Sequence, residues 1–153
     1  MQSITPFLWF DNQAEEAANF YVSLFDNSKI ISVERLPDVE EGPVNEVVTL
    51  TFQLDGQEFM AINAGPQFKF TEAVSFYVHC ETQEKVDFLW EKLTEGGEEQ
   101  PCGWLKDKYG LSWQIVPTVL GELLNGTDRA RAQRVMQAMF QMTKLDIQRL
   151  QEA

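Results

Sequence analysis

The sequence predicts an α+β fold made of two β-α-β-β-β modules and a C-terminal helical extension. Three observations support this: the same order of strand-like and helix-like segments occurs twice, turn glycines recur at matching places, and apolar alternation agrees between the halves. At 153 residues the chain fits a single domain whose core needs no disulfide or metal. The modules are expected at about 1–66 and 72–118, and the C-terminal helices at about 119–153.

The first module begins with a strand at Ile4 to Phe10, which Asp11 and Asn12 close before a helix. From Ala14, apolar residues recur at intervals of three and four until Asp26 and Asn27, as in an amphipathic helix. Further strands are predicted at Lys29 to Leu36, Val47 to Leu54 and Gln57 to Asn63. The last two flank the hairpin turn Asp55-Gly56, and the acidic segment Pro37 to Pro43 is expected to be an exposed loop.

The second module repeats this order. A strand at Val74 to Cys80 precedes a helix at Glu84 to Glu95, which Gly96-Gly97 ends. Short strands are predicted at Glu98 to Cys102, Trp104 to Lys106 and Leu111 to Val116. Laying ITPFLWF on AVSFYVH pairs Phe7 with Phe76, and laying DGQEFMAIN on YGLSWQIVP pairs Phe59 with Trp113.

The net charge of the chain limits the classes of molecule that it is expected to bind. A formal charge of −12 and a pI near 4.4 speak against nucleic acid and anionic membranes, which need clustered Lys and Arg, and favour small molecules or another protein. Met1 to Phe10 lacks the pattern of a secretory signal, and no stretch has the length of a membrane span, so a cytoplasmic protein is expected. Cys80 and Cys102 are expected to be reduced.

From about Thr127, apolar residues including several methionines form a band on one predicted long helix. Methionine can provide an adaptable binding surface, although packing on the sheet or on a second subunit is the commoner use. One hypothesis is therefore an interaction module that docks a partner through this helix.

The chain resembles the PhnB-like group of the vicinal oxygen chelate superfamily, which includes glyoxalase and bleomycin-resistance proteins and is often labelled demethylubiquinone methyltransferase type. The phrases that carry the resemblance are ITPFLWF, AEEAANFYVSLF, VDFLWEKL, DKYGLSWQIVP and RVMQAMFQMTKLDIQRLQEA. It implies one glyoxalase-like domain in which curved antiparallel sheets surround a cavity. It also implies a homodimer.

The resemblance places the superfamily's metal-ligand positions at Pro6, Met60, Ser75 and Gln114. These residues offer no imidazole or carboxylate, which divalent ions require, and shifting the first position to Thr5 would not help. No metal and no cofactor is therefore expected. The methyltransferase label is judged unlikely to describe the reaction, because no glycine-rich strand-turn-helix segment for a methyl donor is present.

Strand alternation transferred from the family predicts the cavity lining. The candidate ligand-binding residues are Leu8, Phe10, Met60, Ile62, Ser75, Tyr77, His79, Ser112 and Gln114, with Pro6 and Val116 on the same side. The core side is expected to hold Phe7, Trp9, Phe59, Phe76, Val78, Trp113 and Ile115.

Two functions follow as hypotheses. The first is a metal-free protein that binds or sequesters a small, partly apolar organic molecule. The second is an enzyme, a lyase, isomerase or dioxygenase-like protein, using His79 as an acid-base group together with Tyr77 and Gln114, with a metal held in an unanticipated way as an open alternative. His79 is the only histidine, and a half-exposed strand-end residue without a chemical role is the alternative interpretation.

Overall fold

The computed structural model describes residues 2–35 and 48–153, which form two compact units, Met1–Lys69 and Phe70–Ala153. Each unit contains one four-stranded sheet, and the predicted α+β class with two β-α-β-β-β modules is confirmed. In each sheet the strand that comes first in the chain pairs in parallel with the strand that comes last, and the other neighbouring strands are antiparallel. The sheets are therefore mixed, whereas the resemblance implies sheets that are antiparallel throughout. The predicted loop Pro37 to Pro43 and the predicted strand ends Leu36 and Val47 lie outside the described residues.

The first unit follows the predicted order closely. Its sheet has the strand order β1-β4-β3-β2. The elements are β1 (Phe7–Phe10), α1 (Ala14–Leu24), β2 (Lys29–Arg35), β3 (Val48–Leu54) and β4 (Gln57–Asn63). The turn Asp55-Gly56 joins β3 to β4, and both residues have positive φ (48° and 82°), as a two-residue hairpin with the strands' own twist requires.

Helix α1 is capped by a residue from a distant strand. Asp11 and Asn12 were the expected helix start, but the cap position is Gln13, whose side chain makes no capping hydrogen bond. Instead the buried Asn63 at the end of β4 accepts a hydrogen bond from the backbone N–H of Ala14 across 2.8 Å. This contact ties the start of α1 to the sheet.

The second unit has the strand order β5-β8-β7-β6. The elements are β5 (Ser75–Cys80), α2 (Gln83–Thr94), β6 (Glu98–Glu99), β7 (Trp104–Lys106) and β8 (Ser112–Pro117). The prediction of a strand over Glu98 to Cys102 is wrong beyond Glu99, because Pro101–Gly103 form a short 3-10 helix in which Cys102 has φ 63°. A side chain at Gly97 would lie 2.1 Å from the carbonyl oxygen of Lys106, so only glycine fits there.

The turn between β7 and β8 is organised by a buried carboxylate. Asp107 accepts hydrogen bonds from the backbone N–H groups of Tyr109 and Leu111 through Oδ1, at 2.8 and 3.0 Å. Its Oδ2 accepts a third from the indole of Trp113 at 2.9 Å. Because a buried carboxylate is costly unless its oxygens are satisfied, these three donors explain how Asp107 is tolerated in the core.

The C-terminal segment forms three helices, so the prediction of one long helix is wrong. They are α3 (Thr118–Leu124), α4 (Arg129–Phe140) and α5 (Ile147–Glu152). Their apolar residues pack on the end of β8 within the same chain, in a cluster of Val116, Leu120, Val135, Met142, Leu145 and Leu150. Gln83 of α2 fixes the link before α5, since its amide donates to the carbonyl of Leu145 and accepts from the N–H of Ile147.

None of the helices in the described part of the chain has the length and apolar character needed to cross a membrane.

Candidate functional site

The face of the second sheet opposite α2 carries alternating polar side chains, and we name it the open face of unit 2. Parallel pairing of β5 with β8 places Ser75 beside Ser112, Tyr77 beside Gln114 and His79 beside Val116. The intervening residues Phe76, Val78, Trp113 and Ile115 lie on the other face, where α2 packs against β7 and β8. The residues of β5 and β8 that the alternation assigns to one side therefore share a sheet face, and their role in lining a cavity stays a prediction.

Gln114 is held in place by a side chain on the neighbouring strand. Its Nε2 donates a hydrogen bond to Oγ of Ser75 across 3.0 Å. Both residues are half-buried, so the contact is partly shielded from water. The bond leaves the amide oxygen Oε1 of Gln114 as an acceptor for a ligand on the same face.

Gln114 also lies between two aromatic residues in one row across three strands. Tyr77 is its register partner on β5, and Trp104 is its partner on β7. Tyr77 is 49% exposed, and burial of the rest of its ring raises the pKa of its phenol, which stays a hydrogen-bond donor at neutral pH. The Tyr77 and His79 rings lie 4.8 Å apart between centroids.

Two expected lining residues are less accessible than predicted. Ser112 lies on the open face of unit 2 but is fully buried, and its Oγ has no hydrogen-bond partner among the described residues. Val116 is buried in the cluster formed with the C-terminal helices, so its side chain is not accessible to a ligand. Accessible polar contacts therefore centre on Ser75, Tyr77, His79 and Gln114.

A shallow depression of about 470 Å³ lies at the Trp104 end of unit 2 and is lined by Glu72, Glu98, Gln100, Pro101 and Trp104. Lys106, on the same sheet face as Trp104, forms a salt bridge of 2.7 Å with Glu72. The hydrogen bond that Lys106 donates to the Glu72 carboxylate raises the pKa of Lys106 and lowers the pKa of Glu72. Sequence analysis missed Trp104, because its place in a row with Gln114 depends on strand register.

In unit 1 the predicted alternation is wrong for β1. Leu8 pairs with Ala61 and Phe10 with Asn63, on the face that packs against α1, and both are buried (6% and 4% exposed). Phe7 and Trp9 instead share the opposite face with Met60 and Ile62. The alanines of α1 leave space for Leu8 and Phe10, whereas the indole of Trp9 donates to the carbonyl of Gly65 and its ring contacts Phe68 edge-on.

The register also corrects the internal alignment by one residue. Phe7 pairs with Met60 as Tyr77 pairs with Gln114, so Phe7 corresponds to Tyr77 and not to Phe76. The position corresponding to Ser75 is then Thr5, two residues before Phe7. With this shift, the positions that the resemblance assigns to metal ligands become Thr5, Met60, Ser75 and Gln114.

Neither pair of these side chains, taken within its own unit, fits a divalent metal ion. Unit 1 offers a hydroxyl and a thioether, and unit 2 offers a hydroxyl and an amide that already bond each other; none is anionic and none is an imidazole. Across residues 2–35 and 48–153, no three His, Cys, Asp or Glu side chains are grouped so that they could hold a metal.

Cys80 is not placed for nucleophilic chemistry. Cys80 is completely buried on the α2 side of the sheet, and burial raises the pKa of its thiol to about 11. Cys102 is half-buried in the 3-10 helix. A thiol with a raised pKa is a poor nucleophile at neutral pH, because the thiolate is the reactive form.

Comparison with known proteins identifies the family. Residues 2–116 match the family described as 3-demethylubiquinone-9 3-methyltransferase. The chain belongs to this family. The PhnB protein from Bacillus cereus is 45% identical, with a TM-score of 0.70 over 76% of this chain and 100% of that chain. The curated proteins contain no match.

More distant structures share the fold. Protein PA1353 from Pseudomonas aeruginosa is 17% identical, with a TM-score of 0.65 over 76% of this chain and 98% of that one. The fosfomycin resistance protein FosX from Listeria monocytogenes, whose structure contains Mn(II) and sulfate, is 17% identical, with a TM-score of 0.52 over 74% and 90%. At these identities the similarity extends to fold alone.

Proposed function

We propose that this member of the family is a metal-free protein that binds a small, partly apolar organic molecule on the open face of unit 2 and sequesters or senses it. The observation that carries the proposal is the hydrogen bond between Gln114 and Ser75, at two positions that the resemblance to the vicinal oxygen chelate superfamily assigns to metal ligands. An amide and a hydroxyl bonded to each other bind organic groups better than they bind a cation.

The neighbouring side chains suit such a ligand. Tyr77 offers an apolar ring and a neutral hydroxyl, Trp104 adds a second ring, and Gln114 between them offers an acceptor. A few polar groups among aromatic surface are the usual composition of a small-molecule site. The ligand-contact roles of Ser75, Tyr77, His79 and Gln114 belong to this proposal.

Methyl transfer receives no support from the strand-to-helix turns. The link from β1 to α1 is Asp11-Asn12-Gln13 and the link from β5 to α2 is Glu81-Thr82, and neither contains glycine. A backbone that approaches a nucleotide-containing methyl donor closely needs glycine at such a turn. We therefore take the family's name as a label that does not describe this chain's reaction.

The proposal is tested by binding screens on the full chain. A library of small aromatic and apolar molecules should give ligands that raise the Tm of the wild type, and Gln114→Leu and Tyr77→Leu should weaken those ligands. Phe140→Leu changes an exposed aromatic residue of α4 and serves as the control. Ligands that stabilise all four proteins equally would contradict a site on this face.

The contact between the rings of Tyr77 and His79 favours a second candidate function, an enzyme using His79 as acid or base. His79→Ala should abolish turnover of any substrate found while leaving its binding largely intact. Unchanged turnover in this variant would remove the candidate. A homodimer and a cytoplasmic location remain predictions.

A further inference from the structure

We propose that the depression beside Trp104 binds an organic cation, an alkyl- or aryl-ammonium group, that lies on the indole ring near Glu98. This inference rests on the proposed small-molecule function and names the chemical class of the ligand. The lining that carries it is Glu72, Glu98, Gln100, Pro101 and Trp104.

The chain has four tryptophans, and Trp104 differs from the other three in how its indole is bonded. The indole of Trp9 donates a hydrogen bond to the backbone carbonyl of Gly65. The indole of Trp90 donates to the Glu99 carboxylate, and that of Trp113 donates to the Asp107 carboxylate. These three bonds fix the rings in the structure. Within residues 2–35 and 48–153 the indole N–H of Trp104 has no protein acceptor, and its ring is half-buried at the edge of the depression.

The charges around this ring favour a cation. Glu72 and Glu98 both line the depression, and Lys106 is the neighbouring cation, bonded to Glu72 at 2.7 Å. Two carboxylates and one ammonium leave a formal charge of 1 − 2 = −1. Glu98 is the cross-strand partner of Lys106 and lies within the influence of its charge, but the Lys106 ammonium forms its salt bridge with Glu72. The Glu98 carboxylate is therefore the one open to a ligand.

An aromatic face beside a carboxylate is a known combination for ammonium groups, since the negative face of the ring attracts the cation and indole does so best. The proposed cation site is also next to Gln114, because Trp104 on β7 and Gln114 on β8 are register partners on adjacent strands. A ligand with a cationic end at Trp104 therefore extends naturally towards the Gln114 amide. The chain's charge of −12 adds a general attraction for cations.

The test uses benzyltrimethylammonium chloride as the probe and the ¹⁵N-labelled full chain. Indole N–H signals are followed by two-dimensional NMR, with benzyl alcohol and phenylacetate as neutral and anionic probes. We expect the Trp104 signal to move saturably with the cation, with a Kd of about 1 mM, while the signals of Trp9, Trp90 and Trp113 stay in place. The two other probes should move the Trp104 signal little.

Substitutions at Trp104 and at Glu98 test separately what the aromatic ring and the carboxylate contribute to binding of the cation. In backbone amide spectra, which do not depend on the Trp104 indole signal, Trp104→Leu should remove the shifts caused by the cation and Trp104→Phe should retain weaker ones. Glu98→Gln should weaken binding about two- to fivefold, as expected for an exposed ion pair, and the control Glu91→Gln on α2 should not. An unmoved Trp104 signal, or an equal response to all three probes, would overturn this proposal. Binding of phenylacetate alone would overturn it while leaving the broader small-molecule function standing.

Discussion

The amide nitrogen of Gln114 lies 3.0 Å from the hydroxyl oxygen of Ser75 and joins β8 to β5 on the open face of unit 2. This bond connects the side chains at two positions that the resemblance assigns to metal ligands. Its strength is measurable, because Ser75→Ala and Gln114→Leu each remove one partner. We predict a coupling energy of about 1 kcal/mol between the two changes in a double-mutant cycle followed by urea unfolding.

The control for this cycle combines Ser75→Ala with Gln137→Leu, an exposed residue of α4. Those two changes should be additive. A Ser75–Gln114 coupling indistinguishable from zero would mean that the bond contributes nothing to the folded state.

Asn63 caps α1 from the end of β4, and its loss should destabilise the first unit. Asn63→Ala removes the acceptor of the Ala14 N–H in a buried setting, so we expect a loss of about 1–2 kcal/mol in the free energy of unfolding. Asn12→Ala changes the residue that the sequence favours as a helix start but that makes no capping bond, and it should cost less than about 0.5 kcal/mol. Equal costs for the two variants would refute the long-range cap.

Asp107 should be among the more sensitive residues of the second unit. Asp107→Asn keeps the size of the side chain but turns an amide N–H₂ towards either the Trp113 indole or the turn's backbone donors. We expect a loss of about 1–3 kcal/mol by chemical denaturation. Asp26→Asn, at an exposed position, is the control and should change little. A stability equal to the wild type would show that the buried charge is not needed.

The two thiols should differ in reactivity. With a pKa of about 11, Cys80 is ionised in about one molecule per thousand at pH 8, and its burial slows access further. A disulfide reagent should therefore modify Cys102 quickly and Cys80 only slowly. The Cys80 rate should rise about tenfold per pH unit below its pKa, because the thiolate fraction does so.

Cys102→Ser makes this difference visible. The variant should show no fast thiol in the folded state and one thiol after unfolding in denaturant. A fast thiol in folded Cys102→Ser protein would contradict the burial of Cys80.

The alternation transferred from the family agrees with the register of β5, where the polar or amphipathic Ser75, Tyr77 and His79 contrast with the apolar Phe76 and Val78. The same method fails for β1, since FLWF is apolar throughout and offers no contrast between its faces. There the small side chains of α1 and the hydrogen bond of Trp9 decide which residues are buried.

Long-range contacts escape sequence analysis for a related reason. The cap by Asn63, the three donors to Asp107 and the row of Tyr77, Gln114 and Trp104 each depend on strand register. Gln83 likewise links α2 to the C-terminal segment through a side chain that looks like an ordinary first-turn residue. Local pattern establishes that these elements exist, but tertiary packing determines which side chains meet.

The absence of a resident metal ion is the central claim, and native mass spectrometry of the full chain isolated without chelators tests it most directly. We predict that the wild type carries no reproducible metal and that any bound mass is organic and is diminished in Gln114→Leu. One metal ion per chain in repeated preparations, lost in Gln114→Leu, would contradict the account.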